Sequence, residues 1–104
     1  MSTHVTRQGD PDRFEITADD AVAGFTQFLD RGERRVFFHT EIDEEFGGRG
    51  LAGILVDEAV AATRAEGRTI VPVCSYVKTW LGTHPEHEDI TAQPTPDDLA
   101  ALRG

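Results

Sequence analysis

The chain has 104 residues, the size of one ordinary domain with one core, so any ligand site must lie on that core's surface or at its edge. Its 19 acidic and 10 basic residues give a formal net charge of −9, which repels nucleic acid and anionic lipid and suits a cationic substrate such as an amine. The single cysteine, Cys74, excludes an internal disulfide and a cysteine-based zinc site built by one chain. Residues 1–10 carry no secretion-signal pattern, and no run approaches the roughly 20 apolar residues of a membrane span, so a cytoplasmic protein is the simplest expectation.

Residues 1–11 are polar and read as a flexible start. Residues 13–17 alternate polar with apolar or β-branched side chains, as a half-buried strand does, and Asp19-Asp20 reads as a turn. Residues 21–29 place Phe25 and Phe28 at helical spacing, but Gly24 and Thr26 favour a strand with a twist or bulge near Gly24. Residues 30–33 form a hairpin-like turn, and 35–42, rich in β-branched and aromatic residues, is a strong strand. Three strands joined by short turns make an antiparallel meander.

From Leu51 to Glu66 the pattern becomes helical. Leu51, Ile54, Leu55, Ala59 and Ala62 form the apolar stripe, with Val56 and Val60 beside it, and Gly67 stands where a helix ends. Residues 68–73 form a short strand in which Pro72 limits pairing, so strand, helix and strand make a β-α-β unit with its last strand parallel to 35–42. Residues 75–81 suggest a second short helix with Ser75 as its N-cap. Thr95 followed by Pro96 and Asp97-Asp98 suggests a short terminal helix.

Gly47-Gly48-Arg49-Gly50 lies between the strongest strand and the strongest helix. First-turn N–H groups of a helix have no intrahelical partner, and the helix dipole adds positive potential, so an anion fits there. Arg49 adds a fixed positive charge with a forked donor set. The turn lacks the Gly-Lys-Ser/Thr of a P-loop, because Ile54 follows Gly53. It does contain Gly-x-Gly-x-x-Gly, but after a meander and with too little chain for a dinucleotide-binding sheet.

These residues resemble the GNAT-type acetyltransferases, whose Gln/Arg-x-x-Gly-x-Gly/Ala motif lies at a strand-to-helix junction. Gly47-Gly48-Arg49-Gly50-Leu51-Ala52 follows that register, with Gly47 in place of Gln or Arg. The resemblance is sharper to the short Yjdj-type N-acetyltransferase-like subfamily. Its motifs occur in order as His39-Thr40-Glu41, Gly48-Arg49-Gly50-Leu51-Ala52, Pro72-Val73-Cys74 and His84-Pro85-Glu86-His87, over about residues 13–90. His87 replaces an aromatic residue, and the tail after Ile90 has no counterpart.

The resemblance implies an α+β fold, a truncated GNAT core in which the antiparallel meander is followed by the β-α-β unit and a short C-terminal helix. It divides the chain into a flexible start (1–11), an acetyl-CoA-binding domain (12–90) and a tail (91–104). It implies acetyl-CoA as cosubstrate, no metal, and acetyl transfer to an unknown amine by a monomer or homodimer. The pantetheine arm would pair with Thr40, Glu41 and Ile42, and the pyrophosphate would sit on Gly47, Gly48, Arg49, Gly50, Leu51, Ala52 and Gly53.

Amine acetylation needs a polarised carbonyl, a neutral amine and a proton for the departing thiolate. Glu41 is the candidate base, or an exposed strand carboxylate; Tyr76 is the candidate acid, or a packing residue. Cys74 could take the acetyl group, line the thioester pocket, or be a buried small apolar residue. His39, two residues from Glu41 on a strand, shares its face. Lys78 and Arg64 are candidates for the nucleotide phosphates. His84 and His87 have a metal-ligand spacing, but Pro85 between them favours a structural role. Two other functions compete with catalysis: a non-catalytic acyl-CoA-binding or sensing module, and a structural domain with a vestigial loop.

Overall fold

A computed structural model describes residues 2–103, so Met1 and Gly104, at the outer ends of the expected start and tail, lie outside the described residues. Thr3–Gln8 (β1), Arg13–Ala18 (β2), Ala21–Arg31 (β3) and Arg34–Ile42 (β4) form an antiparallel meander, and Thr69–Pro72 (β5) joins β4 in parallel. Residues 3–8, expected within a flexible start, are thus a full strand, and the meander has four strands rather than three. An edge strand with one face in water needs few apolar residues, so composition hid it; Val5 alone turns onto the core.

Leu51–Ala65 (α1) packs against all five strands. Its buried face is Leu51, Leu55, Val56, Ala59, Val60 and Thr63, while Ile54 is exposed and Ala62 only half-buried. The helix is therefore rotated towards Val56 and Val60 from the expected stripe. Asp57, Glu58 and Arg64 face solvent as expected, whereas the Glu66 carboxylate turns onto Arg35. On the sheet, Phe14, Phe28 and Phe37 meet with ring centroids 5.2 to 6.5 Å apart and form the floor of the core.

Two bulges shape the sheet. Ile16 faces Gly24 and Thr17 faces Val22, which leaves Ala23 as an extra residue beside Gly24. Gly24 lies where β3 and β4 nearly touch: a Cβ there would stand 2.3 Å from the Glu41 carbonyl oxygen. In β4, Gln27 faces His39 and Phe28 faces Phe37, so Phe38 is the second extra residue. Side chains alternate along a strand, so one inserted residue brings Phe37 and Thr40 onto the same face.

At one end of the sheet the charges are densely paired. The fully buried Arg35 donates to Asp30 at 2.8 and 3.1 Å and to Glu66 at 2.8 and 2.9 Å, and its guanidinium stacks 4.5 Å above the Phe28 ring. Hydrogen bonds from Arg35 hold the Glu66 carboxyl down at about 2. Pro96–Leu102 (α3) is tied to the same end, where its buried Asp98 accepts from Arg31 and Arg34. Those bonds, Arg34's foremost, hold Asp98 far below the ordinary carboxylate range.

The α3 N-terminus is sealed by a reciprocal cap, Thr95 to the Asp98 amide and Asp98 to the Thr95 amide, as Thr95-Pro96 suggested. The tail is stitched to the sheet, since Thr91 bridges Ile70 and the Ala92 amide donates to the Ile70 carbonyl at 2.9 Å. No described helix is long and apolar enough to cross a membrane.

Candidate active site

β4 and β5 pair only from Arg34–Thr69 to Phe37–Pro72. The Val73 and Cys74 amides then both converge on the Phe37 carbonyl, at 2.9 and 2.8 Å, and the chain turns into Ser75–Gly82 (α2). Beyond the Phe38 bulge, residues 38–42 of β4 therefore have β3 on one side and no strand on the other. The parallel pair opens like a V, and its mouth leaves a stretch of backbone N–H and C=O groups available to an extended ligand.

Cys74 lies at the apex of this opening and is 9% exposed. It is also the N-cap of α2, with no side-chain capping bond, so Ser75 is the first helical residue and not the expected cap. The Cys74 thiol points across the gap and donates to the Thr40 hydroxyl at 3.3 Å. Thr40 in turn lies 2.9 Å from the hydroxyl of Thr26, which is fully buried. Sequence reasoning singled out Thr40 and Cys74 but not Thr26. Its signal was a polar β-branched residue at a core-facing strand position, where valine fills the same volume.

His39 and Glu41 face the other side of β4, with His39 Nε2 3.5 Å from Glu41 Oε1, as their spacing required. The Glu41 side chain is 60% exposed. Beside these residues runs an open groove of about 770 Å³, lined by Val22, Phe25, Thr40 and the acidic Glu41, Asp43 and Glu44. Thr40 is the residue shared by this groove and the Cys74 contact; Cys74 itself does not line the groove.

The glycine turn follows a short 3-10 segment, Glu44–Phe46. Gly48 and Gly50 have φ of +79° and +73°, values that side chains strongly disfavour, and a Cβ on either would point into open space. Gly50 is the N-cap of α1 and offers no side chain to its first turn; the first intrahelical bond runs from the Ile54 amide to the Gly50 carbonyl. The amides of Leu51, Ala52 and Gly53 thus have no partner within the helix. Free amides, positive potential and open space match what a pyrophosphate needs.

Arg49 is already engaged, with its guanidinium 5.3 Å above the Phe46 ring and 3.7 Å from Asp19 of the β2–β3 turn. That pair is exposed, and such pairs are weak, so a phosphate could compete for it. Tyr76 is 41% exposed, and its hydroxyl lies 3.9 Å from where a Cβ on Gly53 would stand, so it borders the first turn of α1.

Other candidates lie elsewhere. Lys78 lines a second groove with Val73, Leu81, Pro94 and Leu99. Arg64 sits near the far end of α1 and donates to Asp89 at 2.8 and 2.9 Å, which removes it from the helix N-terminus by about 20 Å at ~1.5 Å per residue. His84 and His87 stack on Trp80, with ring centroids 3.7 and 5.7 Å away, and serve packing.

The profile of the GCN5-related N-acetyl-transferase family matches residues 13–90. The chain belongs to this family. In three dimensions it is similar to a GCN5-like protein from Staphylococcus aureus, with a TM-score of 0.67 and 21% identity over 89% of this chain and 91% of that one. It is also similar to the ribosomal-protein-S18-alanine N-acetyltransferase from Escherichia coli, with a TM-score of 0.53 and 17% identity over 56% of this chain and 38% of that one. A third likeness is to the ribosomal-protein-alanine N-acetyltransferase from Brucella melitensis biovar Abortus 2308, with a TM-score of 0.51 and 24% identity over 78% and 63% of the two chains. At these identities the likeness concerns the fold, a mostly antiparallel five-stranded sheet with helices. No curated protein sequence matches this chain.

Proposed function

We propose that this chain is an acetyl-CoA-dependent N-acetyltransferase of the short Yjdj type, acting on an amine of a small molecule or protein. The carrying observation is the parting of β4 from β5 after Phe37, with Cys74 at its apex and an uncapped helix N-terminus after the glycine turn. On this reading the free edge of Thr40, Glu41 and Ile42 takes the pantetheine amides. The turn from Gly47 to Gly53 takes the pyrophosphate.

The groove beside Glu41, Asp43 and Glu44 receives the amine, and its carboxylates attract a cationic acceptor. The thioester supplies the acetyl group: its carbon–sulfur bond breaks as a carbon–nitrogen bond forms. Glu41 removes the amine proton directly or through water. Tyr76, beside the first turn of α1, returns a proton to the sulfur that leaves. Cys74 lines the acyl pocket or takes the acetyl group before the amine does. The exposed Lys78 meets the outer phosphates only if the ligand extends around α2. A single unpaired cysteine fits a cytoplasmic site of action.

One feature favours a second reading, a non-catalytic acyl-CoA-binding module. Gly47 stands where the family pattern carries Gln or Arg, and the carboxylates of Asp43, Glu44 and Glu45 precede it, which weakens the hold on a polyanion. Calorimetric titration of acetyl-CoA into the wild-type protein and Gly50→Glu tests both readings. Binding by the wild type alone is expected, and a wild type silent at millimolar ligand would sink both. Thiol release with a panel of polyamines and peptides then separates them, because a binding module releases none.

A further inference from the structure

The turn between β2 and β3 carries two aspartates where Asn-Gly fits best. Asp19 and Asp20 have φ of +51° and +70°, the arrangement of a two-residue hairpin with both central residues at positive φ. Asparagine makes the same local bonds without a charge. In a chain of net charge −9, a further carboxylate also repels the rest of the surface. Turn geometry therefore does not call for the Asp19 charge, but the residues around it do.

The Asp19 carboxylate is held from two sides. Its Oδ1 accepts from the Ser2 amide at 3.3 Å, while the Asp19 amide donates to the Ser2 carbonyl at 3.0 Å. Its Oδ2 stands 3.7 Å from Arg49 Nη1, inside the glycine turn. The Arg49 guanidinium lies 5.3 Å above the ring of Phe46, which is half-buried and packed against the core. Phe46 thus fixes the guanidinium beside the turn, and Asp19 supplies it with an anionic partner.

We infer that Asp19 is an internal stand-in for a ligand phosphate: it occupies Arg49 in the free protein, and a pyrophosphate takes Arg49 from it by exchange. The inference rests on the proposed acyl-CoA reading of the glycine turn. Asp19 acts through Arg49 and never touches the ligand. The exchange costs Asp19 little, because its carboxylate keeps the Ser2 amide and is 57% exposed to water. Arg49 gains, since exposed carboxylate pairs are weak and a phosphate offers several oxygens to the guanidinium fork. Stacking on Phe46 keeps Arg49 in place without Asp19, so the carboxylate acts as a competitor and lowers the affinity for the ligand.

The test is a double-mutant cycle by calorimetry, with acetyl-CoA and separately with inorganic pyrophosphate, at about 0.15 M salt, where charges more than ~8 Å apart are largely screened. Its members are wild type, Asp19→Asn, Arg49→Ala and the double variant; asparagine tolerates positive φ, so the turn is kept. Asp19→Asn is expected to tighten binding about 3-fold and Arg49→Ala to weaken it about 5-fold, whereas Asp19→Asn changes affinity by less than about 1.5-fold once Arg49 is alanine. Plain repulsion by the Asp19 charge predicts equal tightening in both backgrounds. That result overturns the inference, as does no tightening when Arg49 is present. Binding of pyrophosphate without acetyl-CoA binding would sink the acyl-CoA reading and leave the cycle to decide the exchange on pyrophosphate. Acetyl-CoA binding with no coupling between Asp19 and Arg49 sinks the exchange alone, and silence of wild type and Asp19→Asn towards both ligands overturns both.

Discussion

The two ends of β4 differ in how completely they are satisfied. From Arg34 to Phe37 the strand has neighbours on both sides, and its arginines are saturated: Arg35 by Asp30 and Glu66, Arg34 by Asp98. From Phe38 to Ile42 it has one neighbour, and Glu41 is mostly in water. α1 repeats the contrast along its length. Its C-terminal cap, Glu66, is bound into the Arg35 cluster, while its N-terminal cap is a bare glycine. The lesson is a division of labour. Closed pairing at one end holds the sheet rigidly enough for the other end to keep unsatisfied amides and an open strand edge, the groups a ligand can use.

The largest effect on stability is therefore expected at the paired end. Arg35→Met leaves Asp30 and Glu66 without their buried partner and should cost ~3 kcal/mol in urea denaturation, in the range seen when one member of a buried pair is removed. A cost below ~1 kcal/mol would break the contrast.

Next come two glycines with the same backbone strain at opposite ends of α1. Gly50→Ala and Gly67→Ala, at φ of +73° and +69°, should each cost about 1–2 kcal/mol. Only Gly50→Ala should weaken acetyl-CoA binding in calorimetry; equal losses of affinity would argue that the turn acts through stability alone.

Acid provides a third comparison. The Glu66 carboxyl is held at about 2 against an ordinary 4.5, so its contribution to stability is complete above 4.5 and is lost as pH falls from 4.5 towards 2. Glu66→Gln should reduce the fall in thermal stability across that window, and an unchanged profile would break the assignment of Glu66 to the paired end.

The smallest stability effect belongs to Glu41→Gln, within ~0.5 kcal/mol, as for an exposed residue. If Glu41 is the base, the same change should slow acetyl transfer by ~10²-fold with little change in acetyl-CoA affinity. Unaltered turnover would return Glu41 to an exposed strand residue.

Much of this was legible in the chain because it is written locally. The Gly67 stop and the Thr95-Pro96-Asp97-Asp98 start need only neighbouring residues, and both stand where the sequence places them. The bulge near Gly24 was also local, since a glycine there marks a close approach of two strands. Ser75 was a weaker inference. Capping residues are ranked by side-chain oxygen, but here the turn into α2 is set by the two amides converging on Phe37, so Cys74 takes the position. β1 escaped because exposed strands carry little hydrophobic signal, and the α1 stripe was misaligned because several faces of that helix carry valine or isoleucine.

By itself, the sequence determined the alternation of strand, glycine turn, helix and strand, and the uncapped helix start that follows Gly50. Those depend on backbone freedom and side-chain periodicity within a few residues. Only the tertiary structure decided that Thr26, Thr40 and Cys74 meet, and that Arg35 is buried between Asp30 and Glu66. The reason is register. One extra residue at Phe38 reverses which side chains of β4 face inward, and unlike the bulge beside Gly24 this one has no glycine to mark it, so its effect exists only relative to the strand beside it.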